Sequence, residues 1–299
     1  MKNALKGVFA PIVTVFDENG RMQLDRMEEN LRWYNTTALT GYMPLGSNGE
    51  FQGLTEQESL DILRLFARAS APEKLIFGGC GRESPQKTLE FIEKAAALGL
   101  DYAFLLPPHY FTALTTEEGL YRFFRQVADE SPLPIVLYNA PKFAAGLTLS
   151  PELVARLAEH PNIAALKNSS TVPDSLYRAA VPDPDFLLIS GSIKTFYTGL
   201  RAGAVGGVLS TATYLPEYCC RLYERYAAGQ EAEAAEQSRF LMELSAQTVG
   251  PLGVAGVKCG LELRGLAGGR VRLPLLDVSA EDRARIASAF AAAGIAPVR

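Results

Sequence analysis

Short apolar runs alternate along the chain with longer stretches whose apolar residues recur at helical spacing. The first run covers residues 8–15 and gives way to Asp17-Glu18-Asn19-Gly20, a hairpin-type turn signal. Further runs at 41–45, 74–77, 102–106, 134–138, 163–166, 186–189 and 207–209 have the length and apolar content of buried strands. Amphipathic stretches predict helices over 25–37, 84–98, 116–129 and 151–159, and one from Thr55 to about Ala69. Thr55 with Glu58 reads as a capping box, Ser84 as a cap, Gly99 as a helix terminator and Pro151 as a first-turn proline. Strands that alternate with helices imply a parallel sheet covered by those helices. Eight such units in roughly 220 residues fit a sheet that closes on itself, the (β/α)8 TIM barrel of the α/β class. After Leu215 the pattern turns helical, at 217–228, 231–248 and 281–293. The expected organisation is a barrel over 1–215 that carries the active site, with a C-terminal helical appendage over 216–299.

Composition removes several function classes. Acids number 33 against 29 bases, a net charge of −4, so the basic stripe of a nucleic-acid binder is not expected. No run of about 20 apolar residues occurs, so no membrane span is expected. The start, Met-Lys-Asn-Ala-Leu-Lys, lacks the apolar stretch of a signal peptide. Cys80, Cys219, Cys220 and Cys259 form no CxxC pair, and free thiols in a reducing cytoplasm are the expectation. His109 and His160 are the two histidines, too few for a His-based metal site or a Ser-His-Asp triad, so no metal and no other cofactor is expected. Gly79-Cys-Gly-Arg-Glu-Ser84 lacks the third glycine of a dinucleotide loop, and Asp101 precedes a strand rather than ending one. A nicotinamide enzyme is therefore disfavoured.

Barrel enzymes gather their chemistry where strands end and the following loops begin. The polar residues expected there are Ser47 and Asn48, His109 and Tyr110, Tyr138 and Asn139, Lys167 and Asn168, Ser190 and Ser192, and Ser210. Lys167 stands out because it closes the apolar run Ile163-Ala-Ala-Leu166. Burial lowers a lysine pKa from about 10.4 toward about 7 to 8, and a neutral amine can attack a ketone to form an imine. The plainer reading is a strand-end lysine that snorkels to solvent or pairs with an acid. Gly46-Ser-Asn-Gly-Glu50 is a glycine-bracketed turn that could offer N–H groups and hydroxyls to a carboxylate. It could equally be a tight connection that needs glycines for its dihedral angles. Tyr138 ends the run Ile135-Val-Leu-Tyr138, where a phenol can relay protons or simply close the core with its hydroxyl bonded.

With those positions in place, the chain resembles the dihydrodipicolinate synthase and N-acetylneuraminate lyase superfamily from Gly7-Val-Phe-Ala-Pro-Ile-Val-Thr14 into the helical tail. Gly46-Ser-Asn-Gly-Glu50, Pro108-His-Tyr110, Val136-Leu-Tyr-Asn-Ala-Pro141 and Ile163-Ala-Ala-Leu-Lys167 match its motifs in order and spacing. The resemblance implies that Lys167 forms the imine with pyruvate and that Tyr138 moves the proton at the bond made or broken. It implies a hydroxyl relay through Ser47 and through Tyr110 from a second subunit. It also implies a carboxylate held by Ser47, Asn48 and Gly49, a pocket lined by the Leu209 carbonyl, and a homodimer or homotetramer. Two departures bear on the substrate. Asn48 stands where many members carry a second hydroxyl residue. Lys142-Phe-Ala-Ala-Gly146 stands where the lysine-pathway synthases carry an arginine. Ser47-Asn-Gly-Glu-Phe51, His160-Pro-Asn-Ile163 and Gly203-Ala-Val-Gly-Gly207 are closer to 4-hydroxy-2-oxoglutarate aldolases, which yield pyruvate and an aldehyde. A deoxy-sugar-acid dehydratase or a dihydrodipicolinate synthase would use the same lysine imine. A barrel that binds a 2-oxo acid without turnover is the reading from another class.

Overall fold

A computed structural model describes residues 5–298. Residues 1–4, most of the stretch read for a signal peptide, lie outside the described residues. Eight parallel strands follow one another in chain order around a closed barrel. They are β1 (Gly7–Pro11), β2 (Gly41–Met43), β3 (Leu75–Gly79), β4 (Tyr102–Leu105), β5 (Ile135–Asn139), β6 (Ile163–Asn168), β7 (Leu187–Ser190) and β8 (Gly206–Val208). Between them in sequence run α1 (Leu24–Tyr34), α2 (Glu56–Ala69), α3 (Pro85–Ala97), α4 (Glu117–Glu130), α5 (Pro151–Ala158), α6 (Asp174–Ala180) and α7 (Ile193–Arg201). After β8 come α8 (Pro216–Ala227), α9 (Glu231–Gln247), α10 (Gly253–Leu263) and α11 (Ala280–Ala292). The barrel expected from the alternation of apolar runs is the barrel observed. Among the described residues no helix is long and apolar enough to cross a membrane.

The chain packs as two compact units, one built on Leu75–Val208 and the other combining Val8–Lys74 with the chain from Leu209 onward. In the first, β5 and β6 pair with Tyr138 beside Lys167 and Asn139 beside Asn168. Side chains alternate across a strand, so Tyr138 and Lys167 share one face while Asn139 and Asn168 share the other. In the second, Asp17 N–H bonds to the Arg21 carbonyl at 3.0 Å and Gly20 takes φ of +72°, the hairpin signalled by its sequence. Thr55 and Glu58 form the expected capping box: each side chain accepts from the other's backbone N–H. The Asn30 side chain of α1 holds the C-terminal region through both its amide atoms, which bond to Ala267 O and Ala267 N.

The differences from the sequence reading are local. The run at 8–15 is a strand only to Pro11; past it Ile12 N–H bonds to the Met43 carbonyl at 3.1 Å and Thr14 turns its hydroxyl to the Gly49 carbonyl at 2.7 Å. β3 continues through both glycines, since a side chain at Gly78 would meet Leu100 at 2.1 Å. Three helices have no counterpart in the sequence pattern. α6 has only seven residues, and α7 carries threonines and a glycine of low helix propensity. α10, Gly-Val-Ala-Gly-Val-Lys-Cys-Gly-Leu-Glu-Leu, lacks the broad polar stripe that reveals a surface helix. Its glycines permit close packing: a side chain at Gly260 would meet the Tyr214 ring at 3.1 Å.

Candidate active site

The sequence-predicted site residues divide between the two units. Lys167, Tyr138 and Tyr110 belong to Leu75–Val208, whereas Ser47, Asn48, Gly49 and Leu209 belong to the other.

Lys167 is 3% exposed and projects from the end of β6 against aromatic faces. Its Nζ lies 4.1 Å from the centre of the Tyr138 ring and 5.2 Å from that of Phe104. Tyr138 and Phe104 themselves pack 5.0 Å apart. Such ring faces attract an ammonium, but they do not replace its hydration. Burial therefore brings the amine down to about pKa 7. Lys74, also drawn inside, donates to the Thr37 and Leu39 carbonyls at 2.8 and 2.7 Å.

Behind this pair, the outward-facing strand ends form a buried polar layer. Asn139 donates to the Tyr177 hydroxyl at 2.7 Å, and that hydroxyl donates to the Leu149 carbonyl at 2.6 Å. Asn168 donates to one Asp174 oxygen at 2.7 Å, and Ser190 donates to the other at 2.9 Å. Burial raises Asp174 above the ordinary carboxylate range, and the two donors draw it back. Gly199 leaves room for this layer, since a Cβ there would meet Ser190 Oγ at 2.0 Å and Asp174 at 2.4 Å. Asn139, Asn168 and Ser190 end strands, as Tyr138 and Lys167 nearly do, which is why the sequence reading expects them at the site. The alternation that turns Tyr138 and Lys167 one way turns these three toward α6 and α7 instead. Their positions one residue past an inward-facing partner were the signal.

Tyr110 is 78% exposed on the loop after β4. Glu83 holds that loop, accepting from the backbone N–H of His109 at 3.1 Å and of Tyr110 at 3.0 Å. Ser192 caps α7 by accepting from Lys194 N–H.

In the other unit, Ser47–Gly49 form one 3-10 turn. The Ser47 hydroxyl is buried and has no hydrogen-bond partner among the described residues. An orphaned buried hydroxyl costs free energy unless a further group meets it. Asn48 is held loosely, donating to the Pro11 carbonyl at 3.5 Å and accepting from Ser210 Oγ at 3.4 Å. Gly49 N–H is committed to the Gly46 carbonyl at 2.9 Å, so Gly49 contributes space rather than a donor. The left-handed positions are not the glycines but Leu45, at φ +59°, and Glu50, at φ +53°. The glycines serve close approach: a Cβ on Gly46 would strike Met43 at 2.4 Å, and one on Gly49 would press the Ile12 carbonyl at 3.1 Å. Leu209 is fully buried, and its carbonyl accepts from Ala212 N–H at 2.8 Å, which leaves one lone pair for another donor.

Sequence reading missed what anchors this turn. Glu50 Oε1 pairs with Lys258 Nζ of α10 at 2.5 Å, both side chains being buried. Glu50 Oε2 accepts from Arg272 N–H at 2.8 Å. Lys258 also donates to the Arg270 carbonyl and lies 4.7 Å from the Phe16 ring centre. Burial lowers the Lys258 pKa while Glu50 pulls it back up. Arg272 forms a two-pronged pair with Glu58 and stacks 4.2 Å from the same Phe16 ring.

Residues 4–293 match the dihydrodipicolinate synthetase family. A protein of Emericella nidulans named "probable 4-hydroxy-2-oxoglutarate aldolase, mitochondrial" is 32% identical, over 95% of this chain and 93% of its own. A 4-hydroxy-tetrahydrodipicolinate synthase of Methanothrix thermoacetophila is 31% identical, over 94% of each. The crystal structure of DHDPS from Cyanidioschyzon merolae with lysine bound superposes with a TM-score of 0.91 at 28% identity, covering 98% of this chain and 99% of that one.

Proposed function

The chain belongs to the dihydrodipicolinate synthetase family, and on that premise we propose that it is a class I lyase working through an imine between Lys167 and pyruvate. The observation that carries the reading is the buried Lys167 amine, near pKa 7 and set against the Tyr138 ring. A neutral amine adds to the ketone carbon of a 2-oxo acid, and loss of water with a proton supplied by the Tyr138 phenol leaves an iminium and a Tyr138 phenolate. The iminium takes up the electron pair released when the C3–C4 bond of a 4-hydroxy-2-oxo acid breaks. Tyr138 takes the C4 hydroxyl proton as the aldehyde leaves and returns a proton to C3 of the enamine. Hydrolysis then frees pyruvate and the lysine. The reverse sequence joins pyruvate to an aldehyde.

The orphaned Ser47 hydroxyl supports a carboxylate site on the 47–49 turn, with Asn48 as second donor and the Leu209 carbonyl beside it. A 4-hydroxy-2-oxoglutarate-type substrate is favoured over dihydrodipicolinate synthesis by Lys142 and Phe143, both exposed, at the place of the synthases' arginine. Lys142 offers a single charge to a distal carboxylate where an arginine would grip it in two places. Tyr110, Phe111 and Leu114 are exposed on one loop, which supports a homodimer or homotetramer in which Tyr110 serves a neighbouring subunit's relay. The four cysteines are free and buried, which supports work in a reducing compartment such as the cytoplasm.

Borohydride reduction in the presence of pyruvate tests the reading. A stable adduct is expected on Lys167, absent in Lys167→Ala. Labelling of both proteins alike, or of neither, would sink it. A panel of 4-hydroxy-2-oxo acids scored by pyruvate release then fixes the aldehyde.

A further inference from the structure

A carboxylate site has a problem if it carries a carboxylate of its own. Glu50 N–H bonds back to the Ser47 carbonyl at 3.2 Å, which puts Glu50 one 3-10 turn from the orphaned hydroxyl. Its side chain is buried, so water does little to screen it. Left alone, that charge would repel any anion that Ser47 and Asn48 attract.

The surroundings of Glu50 answer this charge. One oxygen meets Lys258 and the other meets Arg272 N–H. Lys258 is fixed in turn by the Arg270 carbonyl. The segment that supplies Arg270 and Arg272 is itself tightly seated. A Cβ on Gly268 would strike the Lys258 carbonyl at 2.1 Å, and one on Gly269 the Phe16 carbonyl at 2.5 Å. The same contacts support Glu50 in its left-handed conformation, which a residue with a side chain adopts only when its surroundings over-determine it.

We infer that Lys258 is a positioning residue for the carboxylate site, cancelling the charge of Glu50 so that the 47–49 turn can receive an anion. The inference rests on the proposed carboxylate role of that turn. A unit charge one turn away, in surroundings of effective dielectric near 20, is worth on the order of ten-fold in anion affinity.

The experiment is the pyruvate concentration giving half-maximal borohydride labelling of Lys167, compared with that for methyl pyruvate, which has the ketone but no charge. Lys258→Met should raise the value for pyruvate about ten-fold and that for the ester less than about two-fold. Glu50→Gln keeps an acceptor for Arg272 and removes the charge, so it should leave the pyruvate value unchanged or lower it. It also serves if Lys258→Met does not fold. The double variant Lys258→Met/Glu50→Gln should return to within about three-fold of the wild type. Equal weakening of acid and ester in Lys258→Met, no weakening of either, or weaker pyruvate labelling in Glu50→Gln, overturns the inference. Ser47→Ala separates it from its premise. If that variant labels like the wild type, the carboxylate role of the turn fails. If Ser47→Ala weakens pyruvate and Lys258→Met does not, only the role of Lys258 fails.

Discussion

Among the described residues three lysines are drawn inside, and each has different neighbours. Lys74 meets two carbonyls, Lys258 meets a carboxylate, and Lys167 faces two rings. The last arrangement has a consequence for stability. In the unfolded chain the Lys167 amine keeps a pKa near 10.4; folded, it sits at about 7. Between those values the unfolded state binds more protons, so stability rises with pH. The destabilisation is complete below pH 7 and fades toward pH 10. Lys167→Met is expected to raise the melting temperature most at about pH 6 and least at about pH 10. A gain that is flat in pH, or that grows with it, contradicts the burial account. Lys167 was legible in the sequence because a charge closing an apolar run is a local anomaly. Glu50 and Lys258 were not: each looks ordinary where it stands, and the pairing exists only in three dimensions.

At the scale of elements, the ends of β5, β6 and β7 are tied to α6 by the Asn139–Tyr177 and Asn168–Asp174–Ser190 bonds. Asp174→Ala leaves Ser190 and one N–H of Asn168 without an acceptor in a buried layer, the other Asn168 N–H keeping the Val172 carbonyl. The expected loss is about 2 kcal/mol of folding free energy, read as a lower urea midpoint with an unchanged slope. A midpoint within experimental error of the wild type would remove the layer's structural role. The strands and capped helices were legible because their signals are local: apolar runs for one, Thr55 with Glu58 or Ser84 with Pro85 for the other. α6, α7 and α10 were hidden because one has only seven residues, one carries threonines and a glycine of low helix propensity, and one is apolar and glycine-rich. Tertiary packing forms them where propensity and pattern are silent.

For the molecule as a whole, the strand count and order followed from the alternation of patterns. The substrate did not, because the choice between aldehydes rests on a few exposed residues near Lys142. The proposed subunit contact gives a test at this scale. Phe111 and Leu114 are 65% and 79% exposed beside Tyr110. Replacing both with glutamate is expected to shift the protein to a smaller species in sedimentation velocity. Turnover per chain should fall with it if Tyr110 serves a neighbouring subunit. A single species of unchanged mass would refute that contact.

The bond between Glu50 and Arg272 spans 222 residues of sequence. The unit that contains it is interrupted by the whole of Leu75–Val208. At a synthesis rate of about 5–20 residues per second, the interval between making these two partners is on the order of 10 to 40 s. Throughout that time the nascent chain carries Glu50 without the Lys258 and Arg272 contacts that it makes in the folded protein. The uninterrupted segment bearing Lys167 can meanwhile assemble from residues already made. The turn is encoded early and set late: a chain cut short before α10 holds the residues of its lysine strand but lacks both partners of Glu50.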